Sequence, residues 1–244
     1  MNSLLLLNGS PRGPRSNSMR MLTRVAEGWQ AAGGSDPTVL HLAKRADFER
    51  AVTEFAGAGT ALLGTPLYTD SMPALVAEFI EALEPMVGRT GNPRVAFLVQ
   101  SGFSEPLHSR GLERYLAKLA GRLGSPYAGT VVRGQGEALQ VMPDEALGKL
   151  FGHLRALGGQ LASDGRFASE TLAEVAGKER FSPVTAAAMS LALKLPVAQF
   201  YWDQQLKKNG AWDRRFAAPS AAPFVSPVAT RHATAGLHAS VPIT

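Results

Sequence analysis

The 244-residue chain contains no cysteine, which excludes disulfides, thiol nucleophiles and Cys-ligated zinc or iron–sulfur centres, and which fits a reducing compartment. Its five histidines, at 41, 108, 153, 232 and 238, form no HExxH or similar pairing, so no metal ligand set is visible. Aromatic residues make up only 7% of the chain. Those of the C-terminal third do not alternate with arginine in a repeating way, and the body carries no recognisable nucleic-acid motif. Long apolar runs are also missing. The four leucines from Leu4 to Leu7 have no Lys or Arg before them and stop at Asn8-Gly9, so they do not read as a secretory signal. The run from Val184 to Trp202 carries Lys194 and Pro196 in its middle and reads as a packed helix rather than a membrane span. The setting expected from these absences is the cytoplasm, with no nucleic-acid partner.

What is present is a chain of globular composition, 45% hydrophobic and 18% charged, with a formal net charge of +5. That charge is uneven. Sixteen basic and fifteen acidic residues lie up to Gly165, which leaves nine basic against five acidic beyond it. A basic C-terminal third of this kind reads first as a solvated surface.

The stretch around which the chain is organised is LLLLNGSPRGPRSNSMRML, Leu4 to Leu22. Four leucines ending at Asn-Gly-Ser-Pro read as a short buried strand closed by a turn. Ser16, Asn17 and Ser18 are all good helix N-cap types, and Met19, Leu22, Val25 and Trp29 then recur at helical spacing until Gly33-Gly34. The intervening loop is rich in hydroxyls and holds Arg12 and Arg15. Free amides at a helix N-terminus, hydroxyls and a guanidinium together suit a phosphate monoester. The same cluster also suits an ordinary solvated loop. Neither a Walker A nor a GxGxxG pattern is present, which weighs against ATP and Rossmann-type dinucleotides.

Further along, Thr38 to Leu42, Thr60 to Gly64, Arg94 to Gln100 and Tyr127 to Val132 read as strands. Helices are expected over Phe48 to Phe55, after Pro73, after Glu105 and over Asp144 to Leu161. Strand and helix thus alternate five times, and nearly continuous apolar strands imply a parallel sheet covered on both faces. The expected fold class is α/β, a flavodoxin-like doubly wound five-stranded parallel sheet with helices on both faces, spanning residues 1–163. A helical C-terminal extension over 164–216 and a flexible tail over 217–244, rich in Ala, Pro, Ser and Thr, are expected to follow. Ligands of such sheets sit beyond the carboxyl ends of the strands, where loops 9–18, 65–72 and 101–108 meet.

Those loops carry a resemblance. GSPRGPRSNS, TPLYTDSMPALVAEFIEAL and SGFSE resemble, in order and spacing, the three flavin loops of the NAD(P)H-dependent FMN reductase family. The resemblance covers roughly residues 1–160. It implies that Ser10, Arg12, Ser16, Asn17 and Ser18 hold the FMN phosphate. It further implies that Pro66, Leu67 and Tyr68 lie against the isoalloxazine ring, mainly through their backbone, and that Ser101, Gly102 and Phe103 cover another ring edge. Tyr68 and Phe103 have the aromatic faces to wall a flat slot, or else fill space at the sheet end. His108 and Arg110 lie close enough in sequence to reach the mouth of the site, although a loop His and a helix-start Arg are more often simply solvated. The activity implied is an FMN-dependent NAD(P)H oxidoreductase acting on a small acceptor, such as a quinone, a nitro or azo compound, or free flavin. The alternative is a non-catalytic flavodoxin-type electron carrier, against which the basic charge counts, because carriers of that kind tend to be acidic. No protein general base is required, since the flavin supplies the hydride chemistry. A homodimer that buries the helix over 184–202 completes the expectation.

Overall fold

The computed structural model describes residues 3–192 and 196–217. It divides into two compact units, residues 1–181 and 182–244. The boundary at Phe181 lies beyond the one expected at 163, because the chain continues onto the sheet after the last long helix.

The first unit alternates strand and helix: β1 Leu4–Asn8, α1 Asn17–Ala31, β2 Thr38–His41, α2 Arg45–Phe55, β3 Thr60–Pro66, α3 Ala74–Ala82, β4 Arg94–Gln100, α4 Arg110–Leu123 and β5 Tyr127–Arg133. A four-residue helix α5 (Ala138–Val141) follows, then α6 (Gly148–Ser163) and α7 (Ser169–Ala176). All five strands pair in parallel, in the order β2-β1-β3-β4-β5. Strand order therefore reverses between β1 and β3, which is the switch point of a flavodoxin-like sheet.

The leucine run shows why the strands lack polar alternation. Leu4 and Leu6 pack with Met21, Leu22, Val25 and Trp29 of α1 and Leu154, Leu157 and Leu161 of α6. Leu5 and Leu7 face the other way, into Phe48 and Phe55 of α2, Phe79 of α3, and Leu112 and Leu116 of α4. Side chains alternate along a strand, so a strand covered on both faces needs apolar residues at every position.

On the first face, α1 and α6 approach through glycines. A Cβ on Gly158 would lie 1.9 Å from the Val25 carbonyl oxygen, and one on Gly28 would lie 1.8 Å from that of Arg155. No larger residue fits without moving a helix. Two sequence expectations shift here. The helix expected over Asp144 to Leu161 is a 3-10 turn, Asp144–Leu147, followed by α6. The short helix α5 had not been anticipated; four residues are too few to show a period.

In the second unit the apolar run expected as one helix forms two, α8 Pro183–Ala192 and α9 Pro196–Lys208. Pro196 opens the second because a proline lacks the N–H that a helix interior needs and disfavours helix in the residue before it. Two of the run's apolar side chains are exposed, Val184 at 79% and Leu191 at 67%. The tail expected from 217 lies, from residue 218 on, outside the described residues. Among the described residues, no helix is long and apolar enough to cross a membrane.

Candidate functional site

The β1–α1 loop is built around Asn8. Its Nδ2 donates to the Gly13 carbonyl at 2.8 Å, and its Oδ1 accepts from the Ser10 amide at 3.1 Å and from the Ser16 hydroxyl at 3.3 Å. One buried side chain thus closes the loop from three sides. Ser16 caps α1, its Oγ accepting from the Met19 amide at 3.1 Å, as its residue type predicts. Ser10, Ser16, Asn17 and Ser18 are all buried, the last two as the first residues of α1. Asn17 is 3% exposed, and its Nδ2 has no hydrogen-bond partner. A buried donor left unpaired costs about 1–3 kcal/mol, so this amide marks a place built for an acceptor.

Arg12 stands apart from that cluster. Half-exposed, it pairs with Glu137 at 3.4 Å, bridging the loop to the segment after β5. An exposed pair of this kind contributes less than about 1 kcal/mol.

His41, at the end of the neighbouring strand, takes Asn8 Nδ2 at 3.1 Å on its Nδ1. Burial, helped by Lys44 and opposed by Asp47, holds its pKa below the usual histidine range. The neutral ring is therefore the form that accepts from Asn8.

The β3–α3 loop turns tightly. Tyr68 and Ser71 exchange backbone hydrogen bonds of 2.8 and 3.1 Å, and Thr69 between them has a φ of 56°. The Leu67 amide donates to the Gln100 carbonyl at 2.8 Å. Pro66 has no N–H, so the amides of the three residues expected to face a ring edge are absent or already used. Thr69 and Asp70, at the tip of the turn, have no backbone acceptor among the described residues. The Leu67 side chain is buried, whereas the Tyr68 ring is 46% exposed.

The β4–α4 loop is tied to β5. Ser101 N donates to the Arg133 carbonyl at 3.0 Å, and Ser101 O accepts from the Gly136 amide at 2.6 Å. Ser101 is 1% exposed, and its hydroxyl is a second buried group without a partner. Gly102 is exposed. The exposed Phe103 ring stacks on His108 at 4.3 Å between centroids. His108 thus belongs to the loop's aromatic wall. Arg110 does not: it is held by Glu113 at 2.8 Å and by Glu179, which together raise its pKa.

Short bonds draw the three loops together. Gly9 N donates to Gly64 O at 2.7 Å, Leu67 reaches Gln100, and Gln100 Nε2 contacts Ser18 Oγ at 3.4 Å. Two members had not been singled out, Asn8 and Gln100. Both end a strand on a polar residue inside an apolar run, and that is the sequence signal that finds them. The segment 134–137 was also missed. A Cβ on Gly136 would lie 1.9 Å from Gln100 Oε1, a close approach that sequence spacing does not show. Among the described residues, no group of three or more His, Asp or Glu side chains is arranged to hold a metal ion.

A parallel sheet of order 2-1-3-4-5, with polar loops gathered beyond its switch point, defines a flavodoxin-like protein. In agreement, residues 2–90 match a family model described as flavodoxin-like fold, as the sequence resemblance anticipated. Comparison with curated proteins returns no match. Among solved structures, an azoreductase from Bacillus anthracis str. Sterne is 16% identical with a TM-score of 0.50, covering 67% of this chain and 100% of that one. An FMN-dependent NADH-azoreductase from Bacillus anthracis str. Ames Ancestor, in complex with FMN, is 15% identical with a TM-score of 0.50 over 67% and 100%. An NADPH-quinone reductase from P. pentosaceus is 17% identical with a TM-score of 0.50 over 66% and 98%. At such identities the likeness is one of fold.

Proposed function

We propose that the protein is an FMN-dependent NAD(P)H oxidoreductase that passes electrons from a nicotinamide nucleotide to a small acceptor: a quinone, a nitro or azo compound, or a free flavin. The observation that carries this reading is the pairing, at one switch point, of a buried hydroxyl-and-amide cluster at a helix N-terminus with two exposed aromatics, Tyr68 and Phe103. The residues fit the cofactor in a specific way. Asn17 Nδ2 and Ser101 Oγ are two of the six unpaired buried side-chain groups among the described residues, one in the loop assigned to the phosphate and one in a loop assigned to the ring. When bound, FMN supplies the hydride and electron transfer.

The protein's part is to bind, orient and leave one ring face open. Ser10, Ser16, Asn17 and Ser18, with the α1 amides, hold the phosphate. Arg12 exchanges its single exposed carboxylate partner for a doubly charged phosphate. Pro66, Leu67 and Tyr68 back the ring, with the free amides of Thr69 and Asp70 as the donors at its edge. Ser101, Gly102 and Phe103 flank another edge. The named azoreductases and quinone reductase support the acceptor class, and the exposed Val184 and Leu191 support a homodimer.

The test is spectroscopic. Protein incubated with FMN and then desalted is expected to stay yellow, and anaerobic NADPH or NADH alone is expected to bleach it. Protein that remains colourless after FMN overturns the cofactor assignment. Bleaching only in the presence of a partner reductase overturns the enzyme in favour of an electron carrier.

A further inference from the structure

A cavity of about 290 Å³ lies at the carboxyl end of β5, walled by α5, the start of α6 and α7. None of the residues assigned to FMN lines it. The end of β5 serves two sides at once. Its backbone is bound to the β4–α4 loop, the Arg133 carbonyl accepting from Ser101 N at 3.0 Å and Gln135 N donating to the Phe103 carbonyl at 2.7 Å. The side chains of Arg133 and Gln135 line the cavity instead.

Arg133 is half-buried, and of its guanidinium nitrogens only Nη1 has an acceptor, the Val175 carbonyl at 3.0 Å. Nε and Nη2 make no hydrogen bond among the described residues and are not sealed from solvent, so a ligand can reach them. These two nitrogens form one edge of the guanidinium, the edge that meets both oxygens of a carboxylate. Among the described residues no carboxylate pairs with it. Glu174, the single acid in the lining, is engaged by Lys149 at 3.7 Å and His153 at 3.9 Å. Burial holds the Arg133 pKa below the usual arginine range, with no carboxylate opposing the shift, yet a guanidinium stays charged in a protein. A half-buried charge without a counterion is costly, and two fixed cations against one carboxylate leave the pocket positive.

Much of the remaining lining is apolar: Leu139, Met142, Leu147 and Leu150. The three leucines belong to the packed core, so this floor is fixed. A single open guanidinium edge above a hydrocarbon floor suits a singly charged acid with an apolar body, whereas a phosphate would leave the floor bare. The volume lies near the lower end of small-ligand pockets, about 300 Å³, which limits the body to roughly one ring.

We propose that this pocket binds a small monocarboxylic acid with an aromatic or branched hydrocarbon body, Arg133 taking the carboxylate and the leucines and Met142 taking the body. The site is independent of the flavin reading.

The probe is benzoate, titrated calorimetrically into the full chain with and without FMN. Benzoate is expected to bind in both states, and benzamide, which has the same ring without the charge, at least about tenfold more weakly. Arg133→Gln should weaken benzoate by about tenfold or more. Ala146→Glu, at an exposed position on the rim, should weaken it about threefold, and Ala146→Gln should leave it within about twofold. This second pair keeps the test sound if Arg133→Gln disturbs the fold. FMN affinity should hold in all three variants. Absent benzoate binding, equal binding of benzamide, or benzoate affinity unchanged in both Arg133→Gln and Ala146→Glu overturns the proposal. Benzoate expelled by FMN overturns it as well, since the acid would then sit in the ring slot. Protein that takes up no FMN but binds benzoate through Arg133 overturns the cofactor reading and leaves this one standing.

Discussion

The two ends of the candidate site are made differently. At the proposed phosphate end, Asn8, Ser10, Ser16, Asn17 and Ser18 are buried, and Asn8 bonds both Ser10 and Ser16. At the proposed ring end, Tyr68 and Phe103 are 46% and 41% exposed, on turns tied to the sheet by backbone hydrogen bonds such as Leu67 N to Gln100 O and Ser101 N to Arg133 O. An anion needs donors fixed in direction, because a charge-assisted hydrogen bond loses strength quickly with angle. A flat ring needs area and an open face, which exposed aromatics supply. The phosphate end should therefore set cofactor affinity and identity, and the ring end should tune it.

The largest expected effect comes from beneath the phosphate end. Gly158→Ala forces a Cβ into the Val25 carbonyl and should cost about 3 kcal/mol, or roughly 6–12 °C in Tm, because the helix that carries the cluster loses its seat. A thermal melt that matches the parent would show that α1 and α6 adjust freely. Next in size, Ser10→Ala with Arg12→Ala should weaken FMN about 100-fold while riboflavin changes by less than about threefold. Equal weakening of both, by fluorescence titration, would place the anion site elsewhere. Phe103→Ala should weaken FMN and riboflavin alike, by about fivefold, since the ring does not contact the phosphate. A change confined to FMN would erase the proposed division between the two ends.

The smallest effect is a pH dependence at the phosphate end. The pKa of His41 is lowered in the folded protein, so the unfolded chain takes up its proton first as pH falls below about 6.5. This contribution to stability is full above that pH and declines through the window down to the folded-state pKa. His41→Asn, which keeps an acceptor for Asn8, should flatten that part of the urea-stability profile against pH. An unchanged profile would mean that the slope arises elsewhere.

Much of this was legible in the chain. Leu4 to Leu7 followed by Asn-Gly predicts a buried strand closed by a turn, and the Ser16-Asn17-Ser18 run predicts a cap for α1, which the fold assigns to Ser16, because both depend on neighbours within a few residues. The split of the 183–208 region at Pro196 was legible too, yet an apolar run drew the reading towards one packed helix. The engagement of Arg12 by Glu137 and of Arg110 by Glu179 was not legible, since the partners lie 125 and 69 residues away.

The sequence by itself determined the order of strands and helices, the polar strand ends and the chemistry of the three loops, all of which follow from local pattern. The tertiary structure alone decided which donors are left over. Leu67 N and Tyr68 N are consumed by Gln100 and Ser71, while Asn17 Nδ2 and Ser101 Oγ remain unpaired. Whether a buried polar group has a partner depends on what folding brings within about 3 Å of it, and that is a property of the packed chain.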